Sequence, residues 1–451
     1  MKKLMLLWLA IWCISPLVLA QKPETDQLKQ LNFRHIGPVG NRVNSVSGIA
    51  GDPLTYIVGA ASGGVWKTTD GGLNWRPVFD QQEVHSIGSI AIAPSDPQVV
   101  YVGTGESFIR SNVSVGKGMY KSTDGGETWT HIGLEATGRI SRVLVHPDDA
   151  NTVFVAALGH SYAPQKERGV WKTTDGGQTW EQVLFVDENT GASDIVMDPD
   201  NPRMLFAGMW QLDLKTWKRV SGGPGSGVHM STDGGETWKK LEGNGLPQGP
   251  LGKIALAMTP ANPNRVYALI ETGDGVPYED KGEPTESGEL WRSDNNGRTF
   301  QLVNSDRDLG GRQAYYTRLA ASPDNPHEVY FISAGFHTSI DGGESLKAPD
   351  SPLSSPNWDH HEMWIDPTDG DRMIVVGDGG VSISQNRGKT WHRTFLPVAQ
   401  LYHVTTDTEI PYNVLTNRQD GPSMKGQSKS RVGGFFGAGM GFMLLAVLSA
   451  A

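Results

Sequence analysis

The stretch KSTDGGETW, Lys121–Trp129, recurs as KTTDGGLNW (Lys67–Trp75), KTTDGGQTW (Lys172–Trp180) and MSTDGGETW (Met230–Trp238). Three weaker copies of the pattern Ser/Thr-x-Asp-x-Gly-x-Thr-Trp lie at Ser293–Phe300, Ser339–Leu346 and Ser384–Trp391. The third positions of the seven copies are Asp70, Asp124, Asp175, Asp233, Asn295, Asp341 and Asn386, spaced by 54, 51, 58, 62, 46 and 45 residues. Repeats of this length predict a propeller or a solenoid.

The content of one repeat favours the propeller. Around the second copy, four short segments have strand character: Ser86–Pro94, Val99–Thr104, Gly118–Ser122 and Thr128–Ile132. Four strands per repeat are typical of a propeller blade. We therefore predict an all-β, seven-bladed β-propeller of four-stranded blades over residues 21–398. Residues 399–431 are expected to form a partial eighth blade or the start of a truncated second propeller.

The repeated motif falls between the third and fourth strands of each blade, and we assign it a structural role. Asp-Gly predicts a tight hairpin in which both central residues have positive φ. The Ser/Thr hydroxyl and the carboxylates of Asp70, Asp124, Asp175, Asp233 and Asp341 are suited to accept hydrogen bonds from turn amides. The Trp packs beneath the turn. Such residues serve the fold and are no evidence of catalysis.

These motifs are Asp-box (BNR) repeats, and residues 32–421 resemble large bacterial secreted propeller proteins. The resemblance extends to the sortilin N-terminal domain and, more distantly, to tandem-propeller xyloglucanases. It implies the fold more strongly than any activity, because several functions use Asp boxes. The xyloglucanase family carries one catalytic aspartate in a T-D-I-G-G-A-Y-R stretch. The matching stretch here is Ala60–Lys67, and Ala61 stands at the aspartate position.

The two ends of the chain suggest a secreted or periplasmic protein. Residues 1–20 read as a signal peptide, with Lys2 and Lys3 before an apolar run. The single cysteine, Cys13, lies in that segment, so the mature chain offers no disulfide or thiolate metal site. A net charge of −10 without a basic run argues against nucleic acid as a partner. Residues 432–451 form an uncharged apolar tail, either a membrane anchor or the product of truncation, and provide the one expected route to membrane contact.

Polar residues at the starts of the first strands are the candidate ligand-binding site. They converge on one channel mouth if the blades radiate from a common axis. Arginine forks suit anionic groups, and aromatic rings suit sugars. The predicted binding residues are Arg42, Arg139, Arg142, Tyr315, Arg318, His360 and His361. The alternative is that these groups pair with one another as a structural network.

Three function classes remain open from the sequence. The first is a recognition module that binds a peptide, a glycan or a cell-envelope component. The second is a glycoside hydrolase, for which Glu106, Glu362 and Asp359 are the candidate carboxylates. The third is a purely structural assembly factor with a stable protein partner. No cofactor is expected. A metal site is not predicted either, because adjacent residues of the segment Asp359–Glu362 point to opposite faces of a strand.

Overall fold

The computed structural model describes residues 36–37, 42–110, 113–272, 278–279, 288–419, 423–430 and 442–444. The predicted signal peptide therefore lies outside the described residues, as does most of the predicted apolar tail. The described chain folds into eight antiparallel β-sheets, with two short 3-10 helices at Glu135–Thr137 and Arg307–Leu309.

The first three sheets each have four strands that pair in chain order. Their strands are β1 (Val43–Ile49), β2 (Asp52–Ala60), β3 (Val65–Thr68), β4 (Arg76–Pro77), β5 (Ile87–Ala93), β6 (Asp96–Thr104), β7 (Met119–Ser122), β8 (Thr130–His131), β9 (Ile140–Val145), β10 (Val153–Ala157), β11 (Gly169–Thr173) and β12 (Glu181–Leu184). The four strands predicted around the second Asp box are confirmed as β5 to β8.

The fourth and fifth sheets are joined by an extra ribbon. Their strands are β13 (Thr190–Met197), β14 (Leu205–Lys215), β15 (Lys218–Ser221), β16 (Gly227–Ser231), β17 (Lys239–Lys240), β18 (Ile254–Met258), β19 (Val266–Glu271), β20 (Tyr278–Glu279), β21 (Gly288–Ser293) and β22 (Gln301–Asn304). The long strand β14 continues beyond its sheet into a hairpin with β15, and β15 pairs with β20. Trp217 lies at the tip of this hairpin and is 79% exposed.

The last three sheets differ in completeness. Their strands are β23 (Leu319–Ala321), β24 (Val329–Ile332), β25 (Phe336–Ser339), β26 (His360–Asp366), β27 (Asp369–Gly377), β28 (Gly380–Ser384), β29 (His392–Thr394), β30 (Leu401–Thr406), β31 (Asn413–Arg418), β32 (Ser423–Gln427) and β33 (Phe442–Leu444). The sixth sheet has three strands, and a single bridge between Thr338 and Lys347 stands in place of a fourth. In the eighth sheet, β33 falls within the stretch that the sequence assigned to the apolar tail and pairs with β32.

The first seven sheets contact one another in cyclic order. The first strands of consecutive sheets are neighbours, and the first strand of the seventh sheet, β26, contacts β1. A hydrophobic cluster fills each junction. At the junction of the seventh and first sheets it includes Val46, Tyr56, Trp66, Ile374 and Val381. The apolar side chains that alternate along these strands are therefore buried between sheets, as expected for a propeller.

The Asp boxes form the hairpins that follow the third strand of each of these seven sheets. In the second copy, the Ser122 hydroxyl accepts a hydrogen bond from the amide of Gly126 at 2.8 Å. The Asp124 carboxylate accepts one from the Thr128 amide at 2.9 Å. The two positive-φ residues are the glycines, with φ of 72° at Gly125 and 92° at Gly126. The expected Asp-Gly pair at positive φ is therefore shifted by one residue, because Asp124 is needed as the acceptor.

The Asp boxes also connect neighbouring sheets. The Lys67 ammonium, on β3, donates to the Gly125 carbonyl in the next Asp box at 2.9 Å, and Lys172 donates likewise to Gly234 at 2.9 Å. The Trp129 indole donates to the Val78 carbonyl of the first sheet at 2.8 Å. In these copies the box fixes its own turn and connects its sheet to a neighbouring one.

Candidate functional site

The strand register places the candidate residues at the end of the sheets opposite the Asp boxes. Val43 pairs with Ala60, and Val65 pairs with Gly59, so the start of β1 and the β2–β3 loop share one end. We call this end the top face. The Asp-box hairpins lie at the other end, where the Gly71 amide donates to the Leu54 carbonyl.

Glu106 is the centre of the first group of polar residues. It lies in the loop between β6 and β7 and is fully buried. Its carboxylate accepts hydrogen bonds from the guanidinium groups of Arg42 and Arg110 and from the Ser114 amide. Arg42 also donates to the Tyr315 hydroxyl at 3.0 Å. Burial lowers the pKa of Arg42, but the nearby Glu106, Tyr315 and Asp378 more than offset this, so the pKa is raised overall.

A second group joins four sheets through Arg142. Its guanidinium donates to Asp194 at 2.8 Å and to Glu362 at 2.9 Å. Arg318 is 3.5 Å from Asp194 and 3.9 Å from Glu362, and it donates to the Ser141 carbonyl at 3.0 Å. Burial raises the pKa of Asp194, and the charges of Arg142 and Arg318 reverse that effect and lower it. Asp194 is therefore an ionised partner of both arginines, and Glu362 lies within ion-pair distance of the same two side chains.

His361 contacts the first group in its neutral form. Its Nδ1 donates to the Val43 carbonyl at 3.0 Å, so Nε2 is the acceptor that contacts the Tyr315 hydroxyl at 3.1 Å. Burial, followed by the charge of Arg42, lowers the pKa of His361 to about 3. The hydrogen bond to Val43 therefore fixes the tautomer of His361, and the lowered pKa keeps the ring neutral.

The structure does not bring every predicted residue into these groups. His360 points to the opposite side of β26, where its Nδ1 donates to the Ser333 carbonyl and its ring contacts Phe336. Asp359, immediately before β26, accepts a hydrogen bond from the Tyr316 hydroxyl. Arg139 donates through Nε to the Gly159 carbonyl at 2.8 Å and forms no hydrogen bond with Glu106.

Phe108 covers the centre of the network and was missed by the sequence reasoning. It is 1% exposed, although it lies in the loop between β6 and β7. Its ring lies 4.3 Å from the His361 ring and 5.6 Å from that of Tyr315. Lys253 and Arg318 lie over its faces at 5.1 and 5.8 Å. This loop therefore places a buried aromatic side chain against residues from three other sheets.

Lys253 was missed for a different reason. It directly precedes β18, as Arg42 precedes β1 and Arg139 precedes β9, so strand alignment could have found it. Its ammonium donates to the carbonyls of Tyr315 and Tyr316 at 2.7 and 2.8 Å. Burial lowers the pKa of Lys253 well below its ordinary value, and the charge of Arg318 lowers it further.

An open pocket lies on the top face, beside the buried polar network. Its volume is about 360 Å³, and it lies between the first sheet and the start of the eighth. The lining residues are Arg42, Ala60, Ala61, Ser62, Gly63, Val398, Ala399, Gln400 and Leu401. Arg42 is the only charged residue among them. Arg110 connects the two sides, since it donates to Glu106 and to Gln400.

The described residues offer no arrangement typical of a metal centre. No three His, Cys, Asp or Glu side chains are grouped as ligands in that part of the chain. Within the same residues, no helix has the length and hydropathy needed to cross a bilayer.

The comparisons with known proteins agree with this architecture. The Sortilin-Vps10 family (Sortilin, neurotensin receptor 3) matches residues 63–189 and 117–246 in two overlapping segments. Together with the seven Asp-box hairpins, this match decides the class. The chain is an Asp-box β-propeller protein.

This Asp-box propeller is similar in sequence to xyloglucanases and to an assembly lipoprotein. It is 24% identical to xyloglucanase Xgh74A of Acetivibrio thermocellus over 320 residues, which are 63% of this chain and 35% of that enzyme. It is 29% identical over 147 residues to the photosystem II assembly lipoprotein Ycf48 of Trichormus variabilis, covering 27% of this chain and 41% of that protein. The propeller thus spans about a third of the length of the enzyme.

Solved structures show the same fold. The GH74 xyloglucanase of Xanthomonas campestris aligns with a TM-score of 0.61 at 15% identity, covering 87% of this chain and 63% of that one. An ancestral GH74 enzyme aligns with a TM-score of 0.60 at 16% identity, covering 86% and 54%. At these identities the likeness concerns the fold.

Proposed function

We propose that this chain is a secreted or periplasmic recognition module that binds a peptide, a glycan or a cell-envelope component in the top-face pocket. Contact with the ligand is assigned to Arg42, Ser62 and the backbone of Ala60–Gly63, with Gln400 on the opposite wall. Of the other predicted binding residues, Tyr315, His361, Arg142 and Arg318 are assigned to a buried framework around Arg42, which Tyr315 contacts directly. Arg139 and His360 lie outside that framework.

We assign the first seven sheets to the blades of one closed ring, over residues 21–398. The cyclic contacts between first strands support this assignment. The eighth sheet is then a separate unit that begins at residue 399. Its first strand exposes Leu401, Tyr402 and Val404, with exposed fractions of 39%, 53% and 62%, so this strand is not packed as the blade strands are.

The observation that carries the binding proposal is the placement of the carboxylates. Glycoside hydrolysis uses two carboxyl groups that both reach the scissile bond. Among the described residues the pocket is lined by none, and Ala61 stands where the resemblance to xyloglucanases calls for an aspartate. Glu106 and Glu362, two of the three candidate catalytic groups, are buried and accept hydrogen bonds from arginines, and the third, Asp359, accepts one from the Tyr316 hydroxyl. This arrangement supports recognition over hydrolysis.

The test is a binding screen with a blocked pocket. The full chain is applied to glycan and peptide arrays, and hits are measured by calorimetry. Ser62 is exposed at the pocket, so Ser62→Trp fills it, whereas Gln178→Trp places the same side chain on the exposed Asp-box face. We expect Ser62→Trp to abolish binding and Gln178→Trp to leave the dissociation constant unchanged. Equal affinities of the two variants would reject the pocket.

The hydrolase alternative has its own readout. We expect no release of reducing sugar from xyloglucan or other β-glucans above a heat-denatured control. Release that persists in Ser62→Trp but is lost in a folded Glu106→Gln or Glu362→Gln variant would establish hydrolysis and overturn this proposal.

A further inference from the structure

Two arginines of the third sheet are buried without an acidic partner. Arg139 is 1% exposed and Arg168 is 2% exposed. In the described part of the chain, neither has a carboxylate oxygen within 4 Å of its guanidinium nitrogens. They differ in this from Arg42 and Arg142, whose charges are paired with Glu106 and with Asp194 and Glu362.

Three nitrogens of these two guanidinium groups have no hydrogen-bond acceptor. Arg168 donates through its terminal nitrogens to backbone carbonyls only, namely those of Asn189, Leu212, His160 and Ala163. Its Nε has no acceptor, and neither terminal nitrogen of Arg139 has one. All three nitrogens are shielded from solvent. Buried polar groups are normally paired, and charged ones most of all.

Gly159 brings the two guanidinium groups together. Its carbonyl accepts the hydrogen bond from Arg139 Nε at 2.8 Å. A Cβ atom at this residue would lie 2.5 Å from Cγ and 3.0 Å from Nε of Arg168. Gly159 also has a φ of 78°, which favours glycine. The chain therefore approaches both arginines closely at a residue without a side chain.

The two groups remain cationic at neutral pH. Burial, and then the charge of Arg168, lowers the pKa of Arg139 to about 9. Burial also lowers the pKa of Arg168, which the more distant charges of Asp187 and Asp213 offset only in part. Glu106 attracts Arg139 from a distance, but its carboxylate already accepts from Arg42, Arg110 and the Ser114 amide. Two adjacent buried cations repel each other, and a buried charge without a counterion is strongly destabilising.

We propose that Arg139 and Arg168 bind a small monovalent anion beside Gly159, either chloride or a carboxylate the size of formate. The terminal nitrogens of Arg139 form the fork that guanidinium groups present to oxyanions, and Arg168 Nε adds a third donor. The site is separate from the top-face pocket and does not depend on the function proposed for it.

The test is a thermal unfolding titration of the full chain. The protein is dialysed into sodium gluconate, and gluconate is replaced stepwise by chloride or by formate at constant ionic strength. We expect the Tm of the wild type to rise and then saturate, because an anion that binds only the native state stabilises it by mass action. In Arg139→Gln the rise should vanish. Arg76→Gln, which removes a half-exposed arginine, should respond like the wild type.

Comparison of the chloride titration with the formate titration identifies the anion. Identical changes of Tm in the wild type and in Arg139→Gln would overturn the site. If Arg139→Gln does not fold, crystals of the wild type grown in sodium bromide give an independent answer. An anomalous peak in contact with the terminal nitrogens of Arg139 supports the proposal. Water alone at that position, both in these crystals and in crystals grown in sodium formate, overturns it.

Discussion

Truncating Phe108 tests whether the loop between β6 and β7 is part of the folded core. The side chain is 1% exposed and contacts the rings of His361 and Tyr315, with Lys253 and Arg318 over its faces. Removing a fully buried Phe costs about 3–5 kcal/mol, and a desolvated cation–π contact contributes up to about 2 kcal/mol. We therefore expect Phe108→Ala to lower the free energy of unfolding by about 3–5 kcal/mol.

The assay is urea unfolding followed by tryptophan fluorescence and by circular dichroism. The matched control is Trp217→Ala, which removes a larger aromatic side chain that is 79% exposed at a hairpin tip. Its effect should stay within about 0.5 kcal/mol, as is usual for surface substitutions. If Phe108→Ala lowered the free energy of unfolding no more than this control, the loop would not be part of the folded core. The buried network would then have to be reconsidered.

Three further predictions concern one buried ion pair and two Asp-box residues. Arg142→Met should cost about 3–5 kcal/mol in urea unfolding, because Asp194 and Glu362 would lose a buried counterion; a cost below 1 kcal/mol would contradict their pairing. Thr173→Val should cost about 1–3 kcal/mol, because the Gly177 amide loses its acceptor, and an unchanged urea midpoint would contradict the hydrogen bond. Hydrogen bonds, chiefly from Ser345, lower the pKa of Asp341 to about 2. Its stabilisation should therefore be complete above about pH 4 and be lost as the pH falls to 2, so Asp341→Asn should flatten the dependence of Tm on pH in that range.

The repeat made most of the fold predictable. Asp-box spacing and strand alternation located β5 to β8 closely, because a tight turn and a buried strand both depend on local sequence. The incomplete sixth sheet was not foreseen. Its Asp box ends in Leu346 where most copies have Trp, and this substitution was the available signal.

The site was predictable only in part. Residues that precede first strands, such as Arg42 and Tyr315, were expected to meet, since blade geometry alone brings them together. Phe108 could not be found in this way, because the loop between β6 and β7 has no periodicity and the burial of the ring depends on residues from three other sheets. Pairing partners, including Arg142 with Glu362, are equally a matter of tertiary structure.

The burial of the arginine network can be tested directly by modification of arginines with a glyoxal reagent, quantified by mass spectrometry. The account predicts that Arg76, with a half-exposed side chain, reacts rapidly, while Arg139 and Arg318 stay protected in the native protein. In Phe108→Ala, Arg318 should become reactive, because it loses the ring that lies over it. Modification of Arg139 and Arg318 in the wild type at the rate of Arg76 would contradict it.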